Sequence, residues 1–377
     1  GAGTGKTFTI VEGAKRIGNQ KAAFLAFNKS IATELQERLP EDVEAKTFHA
    51  FGFAAIRNAG VKTKVNNYKL NNIIKDLLGE DYHIAPLKKL VSLVKGSMLE
   101  GNDKKAINQL IDEYNIQFES IREEEIAVQS IPAILTLCKT QTHHIDFDDM
   151  IWLPLVSDYP LPHYDIMFVD EAQDFNEMQR ELISRCVNGG RCIIVGDKNQ
   201  AIYGFRGADS NSISMFEDRL TNGSRDIEHY PLTITWRCPK SVVAEANRYV
   251  VDFRCPSDAI DGTVIVDAPF NPQRNDMVLC RYNAPLVGAF YDLISQGKSA
   301  YILGRDMTKG LIIPVEKITK NKHMGTQEFW ALFMKDFEFK HAKLLEQNKI
   351  NQALTLEDKR DCISIFVEKT TTVGGII

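Results

Sequence analysis

Seven residues at the start of the chain, Gly1-Ala2-Gly3-Thr4-Gly5-Lys6-Thr7, constrain most of what can follow them. They read as the end of the pattern G-x-x-x-x-G-K-[ST], with Gly5, Lys6 and Thr7 in its last three places and its leading position ahead of residue 1. Such a loop turns backbone N–H groups inward around a polyphosphate. Glycine is needed there because a Cβ would block positive φ and close approach. In the pattern, Lys6 reaches the β/γ-phosphates and Thr7 ligates Mg²⁺. The loop leaves a buried strand and enters a helix, whose N-terminal dipole adds to the anion site. The stretch from Lys6 to Gly18 fits that helix, whereas no strand precedes it, so the chain is expected to be a piece of a longer protein.

At 377 residues and 44% hydrophobic, the chain is long enough for two or three domains with substantial cores. No run approaches the roughly 18 apolar residues of a membrane span. Seven cysteines lie without C-x-x-C spacing, which argues against a zinc or iron–sulfur site and for a reducing, cytoplasmic compartment. A net charge of −5 gives no basic footprint, so any nucleic-acid partner must be held by a local groove rather than by the overall field.

Apolar runs rich in β-branched and aromatic residues recur at 21–27, 165–170, 191–197, 232–235, 276–280 and 299–304, with helical stretches between several of them. That alternation predicts an α/β fold with parallel sheets and sites at the strands' carboxyl ends. Residues from about 61 to 140 break the pattern. Leu70, Ile73, Ile74, Leu77 and Leu78 share one helical face, as do Leu87, Leu90, Val91 and Val94, which predicts a helical insertion. A second α/β unit is expected from about Leu232, and the text turns helical again after about Lys309. There, Thr355 and Asp358 read as a capping box.

Two constellations carry chemistry. In "YDIMFVDEAQD" a buried strand ends on Asp170 and Glu171, suited to hold Mg²⁺ and to orient and deprotonate a water, respectively. Asp174 reads as the N-cap of the next helix, with Glu177 completing a capping box. In "CIIVGDKNQAIYGFRGAD" a second strand leads through Gly196 and Asp197 to Gln200, whose amide can bond both a γ-phosphate oxygen and an attacking water. Tyr203, Phe205 and Arg206 follow closely, and such a loop suits stacking of unpaired bases.

Taken together and in this order, the motifs resemble those of the superfamily 1 helicases of the UvrD/Rep/PcrA type. "GAGTGKT", "FLAFNKSIATELQERL", "TFHAFG", "VDEAQD", "GDKNQAIYGFRGA" and "LTITWRCPKSVVAEAN" each match a family motif, and "IDFDDMI" also looks like a family segment. The resemblance implies an α/β P-loop NTPase (RecA-like) motor domain at 1–60 and 141–231 with a helical insertion at 61–140. It further implies the start of a second RecA-like domain at 232–308 and a truncated helical segment at 309–377. It implies ATP held by Gly1, Ala2, Gly3, Thr4, Gly5, Lys6 and Thr7, Mg²⁺ at Thr7 and Asp170, and Glu171 as catalytic base. Gln200 would sense the γ-phosphate, Arg237 would reach it, and Trp236 is placed to stack on adenine. Phe27, Asn28, Thr47, His49, Tyr203, Phe205 and Arg206 fall in segments that face single-stranded DNA in the family, although Thr47 also fits the N-cap of the helix after it.

The implied activity is that of an ATP-dependent DNA helicase or single-stranded DNA translocase moving 3′→5′, acting on single strands and junctions. The departures are also specific. The fourth motif's usual Asn-Tyr-Arg-Ser reads Thr235-Trp236-Arg237-Cys238, and the upstream adenine-selecting segment and the fifth and sixth motifs are not in the sequence. Three other readings stay open: a helicase–nuclease subunit, a non-catalytic ATP-dependent DNA-binding switch, and a P-loop ATPase acting on protein.

Overall fold

The computed structural model describes residues 1–26, 29–80, 82–187, 189–200, 212–221, 227–280, 282–302, 307–346 and 350–376. The chain divides into two compact units, Gly1–Val266 and Asp267–Ile377.

In the first unit the glycine loop runs into α1 (Lys6–Ala14), followed by β1 (Ala22–Ala26), α2 (Lys29–Arg38), β2 (Val43–Thr47) and α3 (Phe48–Asn58). Next come β3 (Lys64–Val65), α4 (Lys69–Leu78), α5 (Ile84–Gly96), α6 (Lys104–Glu113), α7 (Ile121–Thr140), β4 (His144–Ile145) and α8 (Phe147–Val156). The unit continues through β5 (Ile166–Val169), α9 (Glu177–Cys186), β6 (Arg191–Ile194), α10 (Ser212–Thr221) and α11 (Lys240–Ala246).

Four strands form a parallel sheet in the order β2-β1-β5-β6. The apolar runs at 21–27, 165–170 and 191–197 become β1, β5 and β6. β2, a polar edge strand reading Val-Glu-Ala-Lys-Thr, gave no apolar signal. Side chains alternate across the central strands with the two-residue period of a pleated sheet. Phe24, Ile166 and Phe168 pack on one face against Ile10, Val11 and Ala14 of α1 and Leu35 of α2. Ala23, Leu25, Met167 and Val169 pack on the other face against Phe48 and Phe51 of α3, Leu153 of α8 and Leu182 of α9. Burying each of these large side chains is worth about 1.5–3 kcal/mol, so the helices are pressed onto both faces. The carboxyl ends of β5 and β6 are thereby left to carry polar turns.

The stretch 61–140 holds α4 to α7, with Leu70, Ile73, Ile74, Leu87, Leu90, Val91 and Val94 buried as their spacing predicts, while Leu77 is exposed. At its root β3 pairs in parallel with β4, Lys64 opposite His144 and Val65 opposite Ile145, a contact no periodicity announces.

The strands expected at 232–235 and 276–280 form no ladder, and neither do the described residues of 299–304. One isolated bridge joins Ile234 to Arg254. A parallel strand is held by neighbours and by cover on both faces. Here Ile265, Val266, Met277, Leu279 and Tyr301 remain exposed, so β-propensity finds nothing to pair with.

The second unit contains α12 (Asn283–Ser295), α13 (Met307–Ile318), α14 (Thr326–Glu346), α15 (Ile350–Lys369) and α16 (Val373–Ile376). Phe329, Phe333, Phe337, Val315, Ile363 and Val367 make its core. The capping box expected at Thr355 and Asp358 is not used, because α15 starts at Ile350 and carries both residues inside it. Asp358 instead accepts the backbone N–H of Asn283 and of Ala284, each at 3.0 Å, and so caps α12. Among the described residues no helix is long and apolar enough to cross a membrane, and all seven cysteines are free thiols.

Candidate active site

The loop ahead of α1 takes the shape its glycines permit. Gly3 and Gly5 sit at φ 67° and 80°, in the left-handed region that strains any residue with a Cβ. Thr4 is buried and donates to the Gly1 carbonyl at 2.8 Å, which closes the loop on itself. The N-terminus of α1, which follows the loop directly, has no side-chain cap, so no side chain competes for its first amides and the positive end of its dipole. Lys6 bends back over the loop, with Nζ 3.4 Å from the Gly1 carbonyl. Its charge is among the smaller influences that favour the ionised forms of Asp170 and Asp197.

β5 delivers Asp170 directly under Thr7, whose hydroxyl donates to Oδ2 at 2.6 Å. Burial pushes the Asp170 carboxyl above its ordinary range and the charge of Glu171 adds to this, against the Thr7 bond and Lys6. The chain then turns sharply, and Glu171 takes a left-handed conformation at φ 55° and ψ 42°. Its carboxylate accepts from the Gln173 amide at 2.7 Å, and the Gln173 carbonyl oxygen accepts the Asp197 backbone N–H at 2.9 Å. Gln173, 2% exposed, thus bridges the end of β5 to the segment after β6, a role the sequence motifs did not single out. Gln200 donates to Asp197 Oδ2 at 2.6 Å. Burial opposes ionisation of Asp197, but the bonds from Gln200 and from the Asn199 N–H outweigh it and hold the carboxyl below its usual value. The expected cap at Asp174 and Glu177 is displaced by two residues. Asn176 is the N-cap of α9, with Gln179 in the reciprocal place, because Asp174 already belongs to the tight turn Ala172–Asp174.

Residues 231–236 cross the mouth of the loop. The Trp236 N–H donates to the Gly3 carbonyl at 2.9 Å, and a Cβ on Gly3 would lie 2.5 Å from Cβ of Arg237. The glycine is therefore needed for close approach as well as for its φ. A cavity of about 600 Å³ opens beside this crossing, lined by Thr4, Phe8, Thr9, Pro231, Ile234 and Trp236, among others. Phe8 and Trp236 are 61% and 75% exposed, two aromatic faces left open beside the glycine loop. Trp236 was expected there. Phe8 was not, since its position on α1 reads as part of the helix alone.

Of the residues expected to face DNA, Thr47 and His49 are described, whereas Phe27, Asn28, Tyr203, Phe205 and Arg206 lie outside the described residues. Thr47 acts as the N-cap of α3, accepting the Ala50 N–H at 3.2 Å. His49 is held below its ordinary pKa by burial, and its ring meets Phe147 edge-on at 5.5 Å. Phe147, the first residue of α8, is 51% exposed and extends this edge. The "IDFDDMI" segment contained it, but nothing local showed that it would meet His49.

The family model of the UvrD/REP helicase N-terminal domain matches residues 1–221. The "Probable DNA helicase II homolog" of Mycoplasma pneumoniae is 28% identical over 279 residues, covering 66% of this chain and 38% of that protein. The "F-box DNA helicase protein 1" of Schizosaccharomyces pombe is 29% identical over 266 residues, covering 65% of this chain and 30% of its own length. The "ATP-dependent DNA helicase PcrA" of Leuconostoc citreum is 26% identical over 259 residues, covering 59% and 33%. The chain therefore spans about a third of the length of these curated relatives. With the family match extending over more than half of its residues, and the glycine loop, Asp170 and Glu171 all inside that match, the chain belongs to the UvrD/REP helicase N-terminal domain family.

Proposed function

We propose that the protein is the nucleotide-hydrolysing part of an ATP-dependent DNA helicase or single-stranded DNA translocase. The observation that carries this reading is the meeting of Thr7 and Asp170 at 2.6 Å beneath the uncapped start of α1, with Glu171 beside them. The amides of Gly1 to Thr7 and the Lys6 ammonium hold the phosphates of ATP, and Phe8 and Trp236 enclose its base. A hydroxyl and a carboxylate side by side form a hard-oxygen donor set that fits Mg²⁺, which takes few protein ligands and keeps its waters. Bound there by Thr7 and Asp170, Mg²⁺ supplies neutralisation of phosphate charge. Glu171 orients and deprotonates the attacking water, and Gln173 fixes its carboxylate while it does so. Gln200 reads the γ-phosphate, and Arg237 contributes positive charge to the transition state.

The relatives' names support DNA as the second substrate. His49, Phe147 and the aromatic residues after Gln200 are the groups we assign to single-stranded DNA, with junctions as the natural target. Movement 3′→5′ rests on the family resemblance. The domain limits proposed from the sequence are 1–60 with 141–231, 61–140, 232–308 and 309–377. The free cysteines suit a reducing, cytoplasmic setting.

The test is a measurement of ATP hydrolysis with and without oligo-dT, on the wild type and on Glu171→Gln. Turnover stimulated by the oligonucleotide and abolished in the variant, with nucleotide binding retained, is the expected result. Undiminished turnover in Glu171→Gln would remove that residue as base, and indifference to oligo-dT would remove DNA as partner.

A further inference from the structure

Where α4, α5 and α7 meet α8, two lysines are withdrawn from water. Lys95, near the end of α5, is fully buried, and Lys69, the first residue of α4, is 4% exposed. Both reach one carboxylate. Lys69 Nζ lies 2.6 Å from Oδ2 of Asp149 and Lys95 Nζ 2.7 Å from Oδ1, and Asp149 is itself fully buried. Lys69 also donates to the Cys138 carbonyl in α7 at 2.7 Å. Lys95 has Asp146 Oδ2 at 3.6 Å and the ring of Trp152 at 5.2 Å. Burial alone would discharge Lys95; the negative groups around it, Asp146 foremost, outweigh burial and keep it protonated.

Stability alone is a weak reason for such a cluster. Apolar residues of similar volume commonly serve as well, whereas removing one member leaves an uncompensated charge. What the cluster fixes is position, because each oxygen of Asp149 has its own ammonium partner. The same carboxylate serves the first turn of α8. Asp149 and Asp146 form that helix's capping box, in which the Asp149 N–H donates to Asp146 at 2.8 Å and the Asp146 N–H to Asp149 at 3.3 Å. Between them stands Phe147, half exposed against His49.

We propose that Lys95 and Lys69 are positioning residues for single-stranded DNA: by clamping Asp149 from the helical stretch, they fix the first turn of α8 and hold Phe147 against His49. This rests on the assignment of His49 and Phe147 to DNA made above. The helical stretch thereby contributes to DNA affinity without touching DNA at these two residues.

The experiment is a double-mutant cycle read by fluorescence anisotropy with labelled oligo-dT, with binding of a fluorescent ATP analogue as the control for an intact fold. Phe147→Ala is expected to weaken oligo-dT binding about tenfold, on the scale of one lost base stack. Lys95→Met is expected to weaken it comparably with nucleotide affinity unchanged, and the combined variant to be no worse than either alone, as for residues acting through one another. Should Lys95→Met fail to fold, Lys95→Met/Asp146→Asn carries the test, since it restores the charge balance and asparagine is an equally good N-cap. That variant is expected to fold and still to bind oligo-dT more weakly than wild type.

Wild-type oligo-dT affinity in a folded Lys95 variant overturns the proposal while leaving the DNA assignment standing. So does a loss that adds fully to that of Phe147→Ala. An unchanged affinity in Phe147→Ala itself overturns the assignment and, with it, the proposal.

Discussion

Thr7 and Asp170, separated by 163 positions in the chain, share a 2.6 Å hydrogen bond at the point where α1 begins and β5 ends. That bond places a hydroxyl and a carboxylate on the same small volume. Thr7→Val keeps the shape and removes the oxygen. Its affinity for a fluorescent ATP analogue in Mg²⁺ buffer is expected to fall about tenfold, to the level seen with EDTA, since a hard cation loses one of few protein ligands. Titrations with and without the metal read this directly.

Gln173 satisfies the Asp197 N–H with one end of its amide and Glu171 with the other. Gln173→Met leaves that backbone donor without its partner, at a cost of about 1–3 kcal/mol. A lower urea midpoint is expected, together with ATP turnover that falls more than nucleotide affinity does, because Glu171 loses its fixed orientation. Equal losses in both would assign Gln173 to folding alone.

Phe8 and Trp236 are open aromatic faces on one cavity. Removing either ring is expected to weaken nucleotide binding by about 1–3 kcal/mol, the range for a base stacked on an aromatic side chain. Equilibrium titration of Phe8→Ala and Trp236→Ala measures this, with an inorganic triphosphate as comparison. The variants should bind triphosphate alone as wild type does.

Gly52 brings α3 against the backbone of α8, where an added Cβ would collide with the Met150 carbonyl. Backbone cannot step aside as a side chain can. Gly52→Ala is therefore expected to lose about 3 kcal/mol, the upper end of the usual overpacking range. Denaturant unfolding checks it, and the same variant should bind oligo-dT poorly, because Phe147 and His49 ride on the two helices forced apart.

Burial holds His49 below its unperturbed 6.5. As pH falls through that value the unfolded chain takes up this proton before the folded chain does, so stability declines with acidification until the folded pKa is also passed. Thermal unfolding of His49→Gln should show a shallower slope than wild type between about pH 6.5 and the folded value. Identical slopes would mean that His49 titrates as it does in water.

The glycine loop's conformation, the place of Asp170 at a strand end and the Thr47 cap were legible in a few adjacent residues, whereas Trp236 was singled out only by the family resemblance. Phe8 and Phe147 were not legible, because their partners stand far away in sequence and α-helical periodicity explains both without a site. Asp358 shows the same limit from the other side. The local pattern is a valid capping box, yet α15 begins before it and the carboxylate caps α12 instead. Lys69 and Lys95 belong to no motif, and only the fold shows that both are buried. In the run 276–280, Met277, Val278 and Leu279 have strand-forming side chains yet stay exposed and join no ladder.

Glu171 holds a backbone shape that suits glycine. A residue with a side chain in that region gives up about 1 kcal/mol of stability. Position 171 is thus a place where folding and chemistry ask for different amino acids. Random stabilising substitution would find glycine there and yield a sturdier protein without the carboxylate we propose as its general base. A screen that selects on heat resistance alone should drift away from catalysis at this residue first.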